Sequence, residues 1–284
     1  MTKKIVIALI LTLSLSCLNS FAEDVVPNYN EMGVNYTNSK EYDKAIECFT
    51  KAISDVQRSA YLYYNRGIAE FYAGKYELAL KDFTKAISFM PDNSKFYFNK
   101  ALTEEKLGND KAVILNCTKA ILFDEKCYQA YVTRAGIYIK QKKLNKAVED
   151  INKAIELNPD DTQSYYNRAL IYYAQKEYRL ALMDLDVVLE VEPNNVDALI
   201  NRASIKFIVR DCRGAILDGE KAVKLKPDSE SAWFNLGMSY LAIQNYKDAE
   251  RSFEKAYDIN PQNREAHKYM MHSKRMMINF KDVV

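Results

Sequence analysis

The chain has 284 residues, of which 48% are hydrophobic and 27% charged, a composition that excludes an intrinsically disordered protein. Only 8 glycines and 6 prolines are present, which favours helices joined by short turns over a loop-rich multidomain protein. Lysine and arginine number 40 against 38 aspartates and glutamates. This balance gives no electrostatic drive toward a nucleic acid backbone, so we expect no nucleic acid partner.

The first element along the chain has the layout of a secretory signal peptide. Two lysines precede an apolar run from Ile5 to Leu15, and Ser20 and Ala22 stand three and one residues before Glu23. We therefore predict a signal peptide over residues 1–22, cleaved between Ala22 and Glu23, and an exported bacterial protein, periplasmic or secreted. At about 1.5 Å per residue the run is too short to cross about 30 Å of hydrocarbon, so we expect no integral membrane span in the mature chain.

Two other interpretations of this leader stay open. Cys17 is a candidate for the lipidated first residue of a bacterial lipoprotein, although Ser14 replaces the usual leucine three residues before it. The leader also serves as an anchor if it is not cleaved.

The chain then repeats every 34 residues without insertions. The seven units are 26–59, 60–93, 94–127, 128–161, 162–195, 196–229 and 230–263. Position 8 of each unit is small, and position 20 is alanine in all units but one, so two helices can approach closely. Five of the six prolines fall at position 32, where proline ends a helix, and Asp, Asn or Ser follows to cap the next one.

This pattern resembles the tetratricopeptide repeat (TPR) family, whose 34-residue helix-turn-helix unit carries small, aromatic and proline residues at these offsets. The resemblance implies an all-α fold, a right-handed superhelix whose first helices line a concave groove and whose second helices lie outside. Residues 264–284 would add a capping helix over the last apolar face. The sixth repeat (196–229) is predicted to be the weakest, because Gly219 inside its second helix costs about 1 kcal/mol relative to alanine.

The repeats also show a charge pair by covariation within one chain. Position 7 is arginine and position 23 aspartate in the same four units: Arg66 with Asp82, Arg134 with Asp150, Arg168 with Asp184, and Arg202 with Asp218. We predict an ion pair that bridges the two helices of each of these repeats, and a weaker polar contact between Lys100 and Asn116. The alternative is an arginine stripe that binds acidic ligands.

Position 6, on the inner face implied by the family, is asparagine in five of seven units. The five are Asn65, Asn99, Asn167, Asn201 and Asn235. An amide side chain offers donors and an acceptor that can pair with the backbone of an extended peptide, whatever its side chains. The alternative is that these amides hydrogen-bond between adjacent helices.

Position 5 adds an apolar lining to the same face. We expect its aromatic members to be the anchors for a peptide, since large aromatic side chains dominate interface energetics. They are Tyr64, Phe98, Tyr166 and Phe234. The competing explanation is that curvature buries these side chains between neighbouring first helices.

The residues that usually carry chemistry are few. The two histidines, His267 and His272, are five apart and do not share a helical face, and no phosphate-binding loop or catalytic motif occurs. Cys48, Cys117, Cys127 and Cys212 lack metal-ligand spacing and are typical of small apolar fillers, although a bridge between Cys117 and Cys127 is conceivable. We therefore expect no enzyme, no cofactor and no metal site.

The sequence as a whole predicts a non-enzymatic scaffold that binds a peptide or helical segment of another protein in its concave groove. The alternative is a structural subunit of an envelope assembly or secretion complex that uses its convex face or terminal helix. The partner is a protein or peptide that the sequence does not identify.

Overall fold

The last residue of six of the seven repeats caps the helix that follows. In the computed structural model, which describes residues 28–281, six such side chains accept a hydrogen bond from a backbone N–H in the first turn of the next helix. They are Ser59, Asn93, Asp161, Asn195, Ser229 and Asn263. Such caps satisfy donors that have no partner within the helix, so the helices begin where the repeat pattern predicts.

Fifteen helices occupy the described residues. They are α1 (Tyr29–Asn38), α2 (Tyr42–Asp55), α3 (Ala60–Tyr72), α4 (Tyr76–Phe89), α5 (Ser94–Lys106), α6 (Asp110–Phe123), α7 (Tyr128–Lys140), α8 (Leu144–Leu157), α9 (Thr162–Ala174), α10 (Tyr178–Val191), α11 (Val196–Ile208), α12 (Cys212–Leu225), α13 (Glu230–Ala242), α14 (Tyr246–Ile259) and α15 (Arg264–Lys281). From α1 to α14, odd-numbered helices are the first and even-numbered helices the second of each repeat.

The turn between the two helices of every repeat passes through a left-handed residue at position 15. Glycine supplies it in two repeats, Gly74 with φ 76° and Gly108 with φ 77°. The other five repeats place a side chain there at a cost in strain. These residues are Lys40, Lys142, Lys176, Arg210 and Gln244.

The helices form two compact units. Unit 1 ends at Gly108 and contains α1 to α5, and unit 2 begins at Asn109 and contains α6 to α15. Within each unit a first helix packs on the second helix of its own repeat, and that second helix packs on the first helix of the next repeat. Neighbouring first helices also touch, for example α1 with α3 and α11 with α13.

The core of each unit lies between the two layers of helices. In unit 1 it contains the rings of Phe49, Phe83 and Phe96, each at most 1% exposed. In unit 2 the largest cluster is aliphatic and includes Leu185 and Leu199. Gly219 in α12 is buried, and a Cβ placed there would lie 3.2 Å from a methyl group of Leu236, so this glycine permits a close approach of α12 and α13.

The end of unit 2 is covered by α15. Ala266 and Ser273 on this helix are fully buried, and the ring of Tyr269 stacks on Phe253 of α14 at 5.5 Å between centroids. The apolar face of the seventh repeat is therefore packed against a helix.

The leader lies outside the described residues. This applies to the signal peptide of residues 1–22, to the cleavage site between Ala22 and Glu23, and to the candidate lipidation site at Cys17. Among the helices that are described, none has the length and apolar character needed to cross a membrane.

Candidate functional site

The nine side chains predicted to contact a peptide all lie on first helices and are all half-buried. In unit 1, α3 carries Tyr64 and Asn65, and α5 carries Phe98 and Asn99. In unit 2, α9 carries Tyr166 and Asn167, α11 carries Asn201, and α13 carries Phe234 and Asn235.

The asparagines of unit 1 bond to neighbouring helices. Asn99 donates through Nδ2 to Tyr64 Oη at 3.0 Å and to the Lys95 carbonyl at 2.9 Å. Asn65 donates through Nδ2 to Asn30 Oδ1 at 3.3 Å. These amides therefore join adjacent first helices, which is the alternative that the sequence left open.

Tyr64, one of the two aromatic residues of unit 1 predicted to contact a peptide, is largely a packing residue. The ring of Tyr64 lies 4.8 Å from that of Phe96 and 5.9 Å from that of Phe83. Burial raises the pKa of the Tyr64 hydroxyl, and the neighbouring Tyr72 adds to this shift. The ring of Tyr64 is thus engaged in packing, and its hydroxyl already accepts a hydrogen bond.

The asparagines of unit 2 make fewer hydrogen bonds to neighbouring helices. Asn201 donates through Nδ2 to Tyr166 Oη at 2.8 Å, and Asn167 accepts through Oδ1 from Gln163 Nε2 at 3.0 Å on its own helix. The side-chain amide of Asn235 makes no hydrogen bond within residues 28–281. Both the Asn167 Nδ2 group and the whole Asn235 amide are therefore open to a ligand.

Position 5 of the preceding repeat decides which amides are open. Where it is Asn30, Tyr64 or Tyr166, the next asparagine donates to it. Where it is Val132 or Ile200, that side chain offers no acceptor to Asn167 or Asn235. This signal is visible in the sequence, but it acquires a meaning only once positions 5 and 6 of adjacent repeats are known to touch.

A cavity of about 410 Å³ opens between the first helices of repeats 5, 6 and 7 in unit 2. Three of the predicted peptide-binding residues, Tyr166, Asn201 and Asn235, line it. Leu170, Tyr173, Ile200 and Ser204 contribute further inner-face side chains, with Asp197 and Ser231 at position 2 of their repeats. A volume of this size falls within the range of about 300–1,000 Å³ that is typical of ligand pockets.

The electrostatics of this cavity are set by Asp197 and the tyrosines. Burial raises the pKa of the Tyr166 hydroxyl, the Asp197 carboxylate raises it further, and the hydrogen bond with Asn201 opposes the shift. Tyr166 is therefore a neutral hydroxyl beside a carboxylate, in a cavity whose walls are otherwise uncharged.

Phe234 is directed at the core as much as at solvent. Its ring lies 5.6 Å from that of Phe253 and 6.1 Å from that of Tyr269, both edge to face. It therefore helps to fix α13 and α15, and it does not line the cavity described above.

The arginines at position 7 form the ion pairs predicted from covariation. In each of the four repeats, Nε and Nη2 of the arginine donate to both carboxylate oxygens of its aspartate, at distances of 2.6 to 2.9 Å. The prediction of an arginine–aspartate pair within a repeat is confirmed. These guanidinium groups are engaged by their own carboxylates and do not form a stripe for acidic ligands.

The remaining candidates for chemistry are dispersed. His267 and His272 are exposed on α15. Cys48 and Cys117 are buried, Cys127 and Cys212 are half-buried, and among the described residues none of the four forms a disulfide. Within the described range no group of three or more His, Cys, Asp or Glu side chains is placed to hold a metal ion.

The protein is a tandem array of helical hairpins, and the inner face of the array is polar and aromatic. Models of the tetratricopeptide repeat match residues 26–54, 60–93, 135–206 and 230–263, together more than half of the chain. The chain belongs to the tetratricopeptide repeat family. Members of this family are in general non-enzymatic interaction scaffolds, and this protein is assigned to that class.

Solved structures share this fold. The C-terminal part of a TPR repeat-containing protein from Cytophaga hutchinsonii is 21% identical over 84% of this chain and 98% of that chain, with a TM-score of 0.70. YrrB, described as a TPR protein with an unusual peptide-binding site, is 21% identical over 68% of this chain and 97% of its own, with a TM-score of 0.61. The pilF protein of Pseudomonas aeruginosa is 15% identical over 75% and 97%, with a TM-score of 0.64. No curated protein matches the chain.

Proposed function

We propose that this protein is an interaction scaffold that holds an extended peptide segment of a partner protein on the inner face of unit 2. The observation that carries the proposal is the row of amides along α9, α11 and α13. Asn235 is unpaired within the described residues, Asn167 has a free donor group, and Asn201 keeps its oxygen free. Amides at successive repeats match the alternating donors and acceptors of an extended backbone.

The cavity beside these amides supplies the second requirement, a place for a side chain. It is lined by Tyr166, Tyr173 and Ile200, and aromatic walls of this kind are enriched where interfaces gain most of their energy. The description of YrrB as having an unusual peptide-binding site is in keeping with a peptide ligand on this fold. In unit 1 the corresponding amides are bonded to Tyr64 and Asn30, so we place the peptide on unit 2.

The test is selection of linear twelve-residue peptides from a random phage-displayed library on the full chain, followed by fluorescence polarisation with the selected peptides. The test variant is Asn167→Ala with Asn235→Ala. Neither amide joins two helices, so we expect the double variant to fold, which circular dichroism checks. The control is Asn194→Ala, an exposed asparagine in the turn before α11.

We expect the double variant to bind selected peptides about tenfold more weakly, since two hydrogen bonds of about 0.5–1.5 kcal/mol each are lost. Asn194→Ala should bind as the unaltered chain does. Failure to select any peptide, or equal binding by the double variant, contradicts the proposal.

One observation favours the alternative, a structural subunit that docks through its second helices. Several large apolar side chains on the second helices of unit 2 are exposed, among them Leu122 at 75%, Leu217 at 68% and Val191 at 64%. If these side chains form a contiguous patch, it would mark an interaction site. Crosslinking in the native cell envelope would then be lost in a Val191→Lys and Leu217→Lys variant and retained in the asparagine variant.

The proposed scaffold acts in an exported compartment, as the leader pattern of residues 1–22 indicates. Mass spectrometry of the protein recovered from cell fractions tests this point. A mature chain that begins at Glu23 supports export with cleavage, a lipid-modified Cys17 supports the lipoprotein, and an intact leader in the cytoplasm contradicts both.

A further inference from the structure

We propose that the cavity of unit 2 binds a basic side chain, arginine or lysine, of the peptide, through an ion pair with Asp197. This inference rests on the proposed function and specifies what the peptide must carry. Among the residues that line the cavity, Asp197 is the one with an acidic or basic side chain.

Asp197 has no partner of its own. Within residues 28–281 its carboxylate makes no hydrogen bond and no ion pair. Its place in the first turn of α11 does not occupy it with capping, because the side chain of Asn195 already caps this helix through the Ala198 N–H.

The neighbouring repeats offer no such carboxylate on this face. The residues equivalent to Asp197 in the other repeats of unit 2 are Gln129, Gln163 and Ser231. A charge at this point is therefore a property of one site along the inner face. It gives a bound peptide a register as well as affinity, because a basic side chain has a single place to pair.

The walls of the cavity suit the stem and head of a long cation. Tyr166 and Tyr173 line the cavity, and tyrosine rings attract guanidinium and ammonium groups through their π faces. Ser204, Ser231 and the Asn235 oxygen add neutral acceptors at the same mouth. A guanidinium group, with five donors in a planar fork, uses this set more fully than an ammonium group does.

Other occupants fit the charge less well. A large apolar side chain would cover the Asp197 carboxylate without pairing it, which costs desolvation energy. An acidic side chain would add repulsion between like charges. The complementary ligand is therefore a peptide with arginine, or next best lysine, at the position that enters the cavity.

The experiment uses four pools of fluorescein-labelled nine-residue peptides with a fixed central residue, Arg, Lys, Met or Glu, and random flanks. Binding to the full chain is followed by fluorescence polarisation. The variants are Asp197→Asn, which removes the charge with little change in shape, and Asp197→Lys, which reverses it. The control is Asp228→Asn, an exposed aspartate in the turn before α13, and circular dichroism checks that each variant is folded.

We expect the unaltered chain and Asp228→Asn to bind the Arg pool at least fivefold more tightly than the Met pool and to bind the Glu pool least. Asp197→Asn should lose this preference, and Asp197→Lys should favour the Glu pool. Equal binding of all four pools by the unaltered chain overturns this inference and leaves the proposed function standing. Absence of binding to every pool overturns both.

Discussion

A single arginine side chain holds three helices together in each of four repeats. Arg168 of α9 binds Asp184 of α10 through Nε and Nη2, and its Nη1 donates to Asn152 Oδ1 of α8 at 2.8 Å. The same third contact links Arg66 to Thr50, Arg134 to Thr118 and Arg202 to Asp186. The arginine therefore stabilises both the repeat and its junction with the preceding one.

Loss of one of these arginines should be costly, because the aspartate is left in the core. Asp184 is 4% exposed, and an unpaired buried carboxylate costs about 3 kcal/mol. We expect Arg168→Met to lower the free energy of unfolding of unit 2 by about that amount in urea titrations. Arg168→Met with Asp184→Leu should recover most of the loss, because the charge is removed with its partner.

The exposed pair of Lys153 with Glu156 provides the comparison. Lys153→Met should leave the free energy of unfolding almost unchanged, as is usual for ion pairs in solvent. If Arg168→Met with Asp184→Leu is no more stable than Arg168→Met alone, the guanidinium acts by packing and not by pairing.

Glu70 is a buried carboxylate of unit 1 whose charge destabilises the fold. It is 5% exposed, and its Oε2 has no hydrogen-bond partner within the described residues. Burial, followed by the Asp82 carboxylate, raises the pKa of Glu70 from 4.5 to about 7, although Arg66 and Lys75 oppose the shift. The folded state therefore binds this proton more tightly than the unfolded chain does.

The sign of the pH dependence follows from this raised pKa. Between about pH 4.5 and 7 the folded state holds more protons than the unfolded state, so the contribution of Glu70 to stability falls as the pH rises. We expect Glu70→Gln to remove this fall and to stabilise unit 1 by about 2–3 kcal/mol at pH 8. Hydrogen exchange of α3 and α4 at pH 5 and pH 8 measures this change in the stability of unit 1.

The matched control is Glu77→Gln on α4, since this glutamate is exposed and its substitution should have little effect at either pH. Equal protection of Glu70→Gln and the unaltered chain at pH 8 would mean that the buried carboxylate carries no penalty.

Within a helix pair, the residue at position 8 covaries with the residue at position 24. Glycine stands at position 8 in the three repeats that have phenylalanine at position 24, and alanine stands there in the other four. The reason is steric, because a Cβ added at Gly67 would lie 2.9 Å from the ring of Phe83. The ring occupies the space that a methyl group would need.

We therefore expect Gly67→Ala to destabilise unit 1 by about 2 kcal/mol, although alanine is the better helix former. Gly67→Ala with Phe83→Leu should be more stable than Gly67→Ala alone, because it reproduces the pairing of Ala169 with Leu185 in repeat 5. Thermal unfolding of the full chain followed by circular dichroism measures both.

Gly136 in α7 is the control, since a Cβ there would meet no described atom of another element within 4 Å. Gly136→Ala should stabilise the protein by about 0.5–1 kcal/mol. Stabilisation by Gly67→Ala as well would show that the phenylalanine moves aside at little cost.

The sequence predicted the helices and the arginine–aspartate pairs well, because both depend on spacing within one 34-residue unit. It did not resolve the role of the asparagines, because that role depends on contacts between adjacent repeats. Asn99 reaches the Tyr64 hydroxyl and Asn235 reaches none, although both occupy position 6. The cavity was also beyond sequence reasoning, since its depth follows from how α9, α11 and α13 pack.

For the molecule as a whole, stability is built from nearest-neighbour contacts. Each helix packs mainly on the helices next to it in the chain, and in such arrays stability is approximately the sum of the repeats and their interfaces. A change at one end of unit 2 should therefore be felt most in the adjacent repeats and little further along.

The capping helix α15 offers a direct test of this behaviour. Tyr269 stacks on Phe253 at 5.5 Å and lies 6.1 Å from Phe234, so its loss uncovers rings of the seventh repeat. We expect Tyr269→Ala to cost about 2 kcal/mol locally and to speed hydrogen exchange in α13 and α14 while leaving α7 to α9 unchanged. His272→Ala, an exposed change on the same helix, should alter neither region. Faster exchange throughout α7 to α14 in the Tyr269 variant would show that unit 2 unfolds as one cooperative body, and the additive account of its stability would then be wrong.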